Sequence, residues 1–135
     1  MVGKYRNIAQ IENYFNMLLT QAKICDKVFV GKLPPAVKSE WKTIAFAAAN
    51  KTSDLNAFGE TSVNVYLYCK PTGDLLEKDI KTFNKLETAF MKVLNEAHHD
   101  YYSLRFMWSD SDFDTTRQLD YIVICVGVLI KSHKE

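Results

Sequence analysis

The chain is poor in the residues that break or staple a fold, with 5 Gly, 3 Pro and 3 Cys among 135 residues. So little Gly and Pro, beside an apolar share of 47%, excludes a collagen-like repeat, a linker and a disordered tail. Cys25, Cys69 and Cys125 are odd in number and widely spaced, and give neither a disulfide framework nor a CxxC metal pair. Neither sign of charge dominates: 17 basic against 16 acidic residues leave a net +1, without the excess expected of a nucleic-acid coat. The apolar run 119–131 falls short of the about 20 residues a membrane span requires. The start, MVGKYRNIAQ, turns amphipathic and polar where a signal peptide needs an apolar stretch, so the chain reads as a soluble intracellular product. GxSxG, P-loop and GxGxxG motifs are absent, and no catalytic function is visible.

What is present points to one domain, residues 1–135, large enough for its own core. Ile8, Ile11, Phe15, Leu18, Leu19 and Ala22 follow a 3.6-residue period, predicting a first helix with Asn7 as its N-cap. Residues 28–33, stopped by Pro34-Pro35, and 42–49, opening at Trp41, predict two strands joined as a loose hairpin. After a turn-rich stretch from Asn50 to Gly59, residues 62–70 alternate cleanly. Val63, Val65, Leu67 and Cys69 define a dry face; Asn64, Tyr66, Tyr68 and Lys70 define a half-wet aromatic one. A second helix is predicted from about Leu75 to Ala97 on the stripe Leu76, Ile80, Phe83, Phe90, Leu94 and Ala97, widened by Leu86, Met91 and Val93. Residues 102–108 alternate Tyr102, Leu104, Phe106 and Trp108 against Ser103, Arg105 and Met107. Residues 119–131, almost continuously apolar, predict a central strand buried on both faces, or covered on one by a helix and on the other by a neighbouring subunit, and 109–118 reads as a long acidic loop. The expectation is an α+β fold in the order α-β-β-β-α-β-β, with two helices on one face of a mainly antiparallel sheet of about five strands.

Candidate sites weigh little. Asp110, Asp112 and Asp114 alternate as in a Ca²⁺ loop, but Thr115 and Tyr121 stand where an EF-hand requires Gly and Glu. His98 and His99 are adjacent and diverge on a helix, with His133 far off in the tail. The cysteines lie on or beside apolar elements, where a thiol behaves as a small hydrophobe. Tyr66, Tyr68 and Lys70 suggest a stacking platform for single strands, yet no RRM-type motif accompanies them. Such an aromatic face more often binds protein. The charge, finally, is unevenly spread: residues 1–53 carry eight basic and three acidic residues (+5), and 54–135 carry nine and thirteen (−4).

The element order, with DLNAFGETSVNVYLYCKP before the second helix and DYIVICVGVLIK at the end, resembles the small α+β neck and tail proteins of tailed bacteriophages: tail terminators, tail-completion and head–tail joining proteins. The resemblance runs from about Ile8 to Lys131, and the acidic 109–118 segment has no match in it. It implies a virion protein, made in the host cytoplasm, whose copies close into a ring, commonly a hexamer. Such a ring terminates the tail tube or joins it to the head connector. Its partners are then itself and other neck or tail-tube proteins, with nucleic acid at most passing through the lumen; no membrane, cofactor, metal or catalytic residue is implied. The charge split and the resemblance together name a candidate subunit interface: Lys32, Lys38 and Lys42 on one surface, Asp110, Asp112 and Asp114 on another, with Tyr66, Tyr68 or Trp108 as apolar anchors. The alternative reading is a small bacterial α+β adaptor that binds a protein or small molecule. Either way the fold is expected to need no metal, so exhaustive chelation should leave the thermal transition unchanged. A fall of several degrees would return the aspartates to consideration as ligands.

Overall fold

Ile11, Tyr14, Phe15 and Leu19 recur on one side of a helix and are buried there, forming α1, Ile8–Ala22. The structure is a computed structural model that describes residues 8–50 and 60–131; the expected cap Asn7, the turn-rich positions 51–59 and His133 lie outside the described residues. After α1 come β1, Lys27–Val30, β2, Thr43–Ala49, and β3, Glu60–Cys69; then α2, Ile80–Glu96, β4, Tyr102–Asp114, and β5, Leu119–Ile130. The order is α-β-β-β-α-β-β, and the five strands form one sheet in the order β1-β2-β3-β5-β4.

Both helices lie on the same side of this sheet. Phe15 and Leu19 of α1 and Phe83, Leu86, Phe90 and Leu94 of α2 share a single buried cluster with Val63, Val65 and Leu67 of β3 and Ile122, Ile124, Val126 and Val128 of β5. Glu12 ties α1 to the sheet, its carboxylate accepting from the Ala49 amide at 3.1 Å. Gly31 follows β1 at φ +80°, and a Cβ there would lie 3.1 Å from the Glu12 carboxylate. That position suits glycine on both counts.

Three sequence expectations are corrected. Residues 28–33 and 42–49 do not form a hairpin: β1 and β2 pair in parallel, Lys27 opposite Ile44 through Val30 opposite Ala47. A parallel pair requires a crossover, and residues 31–42 between them supply one. Asp26 fixes the start of the pair, its carboxylate accepting from the amides of Lys42 at 2.9 Å and Thr43 at 3.1 Å. The second helix begins at Ile80, not near Leu75, because Asp79 caps it by accepting from the Thr82 amide at 3.1 Å. Leu75, Leu76 and Ile80 are 83%, 62% and 63% exposed, so Leu76 and Ile80 leave the apolar stripe, and Leu76 sits at φ +53° in the preceding turn. Lastly, the acidic segment is not a long loop: β4 runs through Asp114, and only residues 115–118 turn into β5.

The helix stripe is thus the core face. Phe83 and Phe90 are 2% and 1% exposed, and replacing either by Ala should cost about 3–5 kcal/mol, read from the midpoint of chemical denaturation. An unchanged midpoint would mean that the stripe does not seal the sheet.

Candidate protein-interaction face

Among the described residues, no helix covers the other side of the sheet. Cross-strand register assembles its surface row by row, because residues directly opposite one another point the same way. One row reads Lys27, Ile44, Tyr68, Tyr121 and Asp112 from β1 to β4; the next reads Phe29, Phe46, Tyr66, Val123 and Asp110. The aromatic rings touch in a network. Phe46 stacks on Tyr66 with centroids 5.5 Å apart, and Tyr121 lies 5.7 Å from Tyr66 and 5.2 Å from Tyr68. The dry and aromatic faces of β3 are both present, but Tyr68, expected on the half-wet face as a candidate anchor, is only 5% exposed and is covered by its own chain.

Part of this face is closed by the chain itself. Leu33, Val37 and Trp41 of the crossover pack with Phe29 against Ile44, Tyr68 and Leu119. Arg117 holds the crossover down: its Nε donates to the Pro34 carbonyl at 2.8 Å, while the guanidinium pairs with Asp114 at 2.8 Å. Beyond the crossover the face is open, and there Met107, Trp108 and Leu129 are 45%, 48% and 40% exposed.

A β-bulge between Phe106 and Trp108 creates that open end. Simple alternation puts Trp108 beside Tyr102, Leu104 and Phe106. The extra residue, Met107, reverses the phase, so that Trp108 pairs with Cys125 and joins the aromatic face with Asp110, Asp112 and Asp114. Gly127 makes room for the bulge, since a Cβ there would lie 3.0 Å from Met107 Sδ and 3.2 Å from Arg105 Cγ.

The residues named as an interface are therefore partly united and partly dispersed. Tyr66, Tyr68, Trp108, Asp110, Asp112 and Asp114 share one face. Asp110 and Asp112 are exposed, each carboxylate accepting from the following amide at 2.8 Å. Asp114 is bound inward to Arg117, and Lys42 pairs with Asp79 at 3.2 Å beside the start of α2. Lys32 and Lys38 are exposed on the crossover, with Lys38 Nζ 5.5 Å from the Trp41 ring. The crossover lies against the β4–β5 turn through Arg117, so the basic and acidic segments meet at that contact within one molecule. Phe29, Phe46, Tyr121, Lys27 and Met107 were not singled out from sequence. Phe29 alternates with Val28 and Val30, a signal that a four-residue strand barely displays.

Several titratable groups are shifted chiefly by burial. Burial pushes the Cys25 thiol up to about 12 and the Cys69 thiol up to about 11, so neither is a ready thiolate near neutrality. Burial raises Tyr68 to about 12, with Asp114 adding to the effect, and burial with Asp112 nearby raises Tyr121. His99 is lowered by burial between the rings of Tyr14 and Tyr102, each centroid 4.7 Å away. Among the described residues, no group of three or more His, Cys, Asp and Glu is placed to hold a metal ion, and no helix is long and apolar enough to cross a membrane. A depression of about 150 Å³ on the open face, lined by Glu60, Ser103, Arg105, Met107, Gly127 and Leu129, is below the roughly 300–1,000 Å³ of small-molecule sites. Comparison with known proteins adds no relative: no protein-family model matches the chain, and no curated protein matches it.

The Asp114–Arg117 pair sets a pH dependence. Burial alone would raise the Asp114 carboxyl, but hydrogen bonds and charge from Arg117 outweigh it and hold the group below its ordinary 3.8. A carboxylate depressed in the fold stabilises above its unfolded value, and that stabilisation is lost as pH falls through the folded value. The stability gap between the native chain and Asp114→Asn should thus be constant near neutrality and close below about pH 4. A gap independent of pH in denaturation series would show that the pair does not hold the crossover.

Proposed function

We propose that this chain is a structural subunit of a phage or prophage neck or tail, whose copies form a ring that terminates the tail tube or joins it to the head connector. One observation carries the reading: the helices seal one face of the sheet, while the opposite face ends in an exposed aromatic and acidic strand. β4 is 13 residues long, lies at the sheet edge and is exposed over most of its length. A long edge with exposed Phe106, Met107 and Trp108 is a surface that proteins keep for a partner or protect from one. The element order supports the same reading, since it is that of the neck and tail proteins the sequence resembles. The role is one of assembly, with no bond made or broken by the chain. Its surface meets its own copies and other neck or tail-tube proteins, and nucleic acid passes only through the lumen.

Sedimentation velocity with negative-stain imaging tests this directly. Closed rings of one size, most visibly six-fold, are expected for the purified chain as its concentration rises. A monomer at every concentration would overturn the reading.

A further inference from the structure

One of the two rows of the open face begins and ends in opposite charge. The row that starts with Lys27 on β1 ends with Asp112 on β4, and the row that starts with Phe29 ends with Asp110. Around Lys27 the β1 edge is basic and aromatic: its Nζ lies 5.7 Å from the Phe29 ring and 5.6 Å from the Trp41 ring, with Lys38 also over Trp41. Around Asp110 and Asp112 the β4 edge is acidic and aromatic, with Trp108 48% exposed. Both strands are sheet edges, each hydrogen-bonded to one neighbour among the described residues. Since β1 is parallel to β2, and each later neighbour is antiparallel, β1 and β4 run in opposite directions.

We propose that the occupant of the β4 edge is β1 of a second copy of this chain, paired antiparallel so that the sheet continues from subunit to subunit. Continuing the rows puts Lys27 of one copy opposite Asp112 of the next, and Phe29 opposite Asp110. Trp108 then lies beside the next row, near the neighbour's Trp41 patch. The contact is heterologous, so it closes into a ring when the rotation permits. An edge-to-edge pair of two β4 strands brings acidic segments together and is disfavoured by like charge. Lys42 and Asp114 take no part, because each is already paired within its own chain. This inference rests on the ring reading and specifies its interface.

The experiment is disulfide trapping. Within one molecule the two edges are four strand spacings apart, roughly 19 Å, far beyond the about 7 Å limit for a disulfide. The double variant Lys27→Cys with Asp112→Cys should therefore give, on mild oxidation, a ladder of covalent multimers on a non-reducing gel. The single variants should give none. A covalent dimer from Asp112→Cys alone would overturn the proposal in favour of a two-fold β4 contact. Charge provides a second arm: Lys27→Glu and Asp112→Lys should each weaken assembly at low salt, and an equimolar mixture of the two should recover it, because every junction between unlike variants is again opposite in sign. If the native chain sediments as a ring but gives no ladder and shows no response to either reversal, this interface is wrong while the ring reading stands. If the native chain is monomeric and no ladder forms, both fall.

Discussion

The structure depends on covering the apolar side chains that β5 turns toward the helices. β5 is hydrogen-bonded to β3 along one edge and to β4 along the other, and most of its residues are buried. Its helix-facing side chains, Ile122, Ile124, Val126, Val128 and Ile130, lie in the common core with the stripes of α1 and α2. Burying each such side chain stabilises by about 1.5–3 kcal/mol relative to exposure, which drives both helices to the same face. The rest follows from that allocation. With both helices used on one side, the other side must be closed by something shorter or left for a neighbour. The crossover 31–42 closes one end, and among the described residues nothing covers the other.

The charged groups divide in the same way. Arg117, Asp114, Asp79 and Lys42 are paired within the molecule: Arg117 and Asp114 are both partly buried and hydrogen-bonded, while Asp79 is held by Thr82 and pairs with an exposed Lys42. Asp110, Asp112, Lys27, Lys32 and Lys38 remain exposed at the two ends of the sheet. Exposed pairs of this kind contribute little to affinity, roughly 0.2–1 kcal/mol each, but strongly affect register and encounter rate. In the proposed contact, the exposed Trp108 and Met107 would supply the apolar area. The same aspartates discourage random strand pairing at a long edge, so discrimination and recognition share residues.

Much of this was legible in the sequence, and the failures have physical causes. The element order, the alternation of β3, the buried stripe of α1 and the common side of the helices follow from periods of 2 and 3.6, which 10 to 17 residues display clearly. The parallel pairing of β1 and β2 was missed because a twelve-residue connection with Pro34-Pro35 resembles a loose hairpin loop; its Leu33, Val37 and Trp41 were the sign that it lies on apolar surface. Leu76 and Ile80 matched a helical period by chance, whereas Asp79, with Thr82 three residues on, marked the true start. The phase change in β4 left the least trace. One bulged residue moves Trp108, Asp110, Asp112 and Asp114 to the other face, and only Gly127 on the opposite strand hints at the space it requires. From sequence, therefore, the aspartates look like a loop; in the structure they are the outer edge of a sheet.

In the proposed assembly the sheet joins its copies through its edges and not through its helices. Hydrogen exchange measured on the intact chain, dilute and concentrated, addresses it residue range by residue range. Peptides covering 27–30 and 106–113 should gain protection as concentration rises, while those from α2 and the centre of β3 stay unchanged. Protection gained over the outer surfaces of α1 or α2, with none at β1 and β4, would contradict the account.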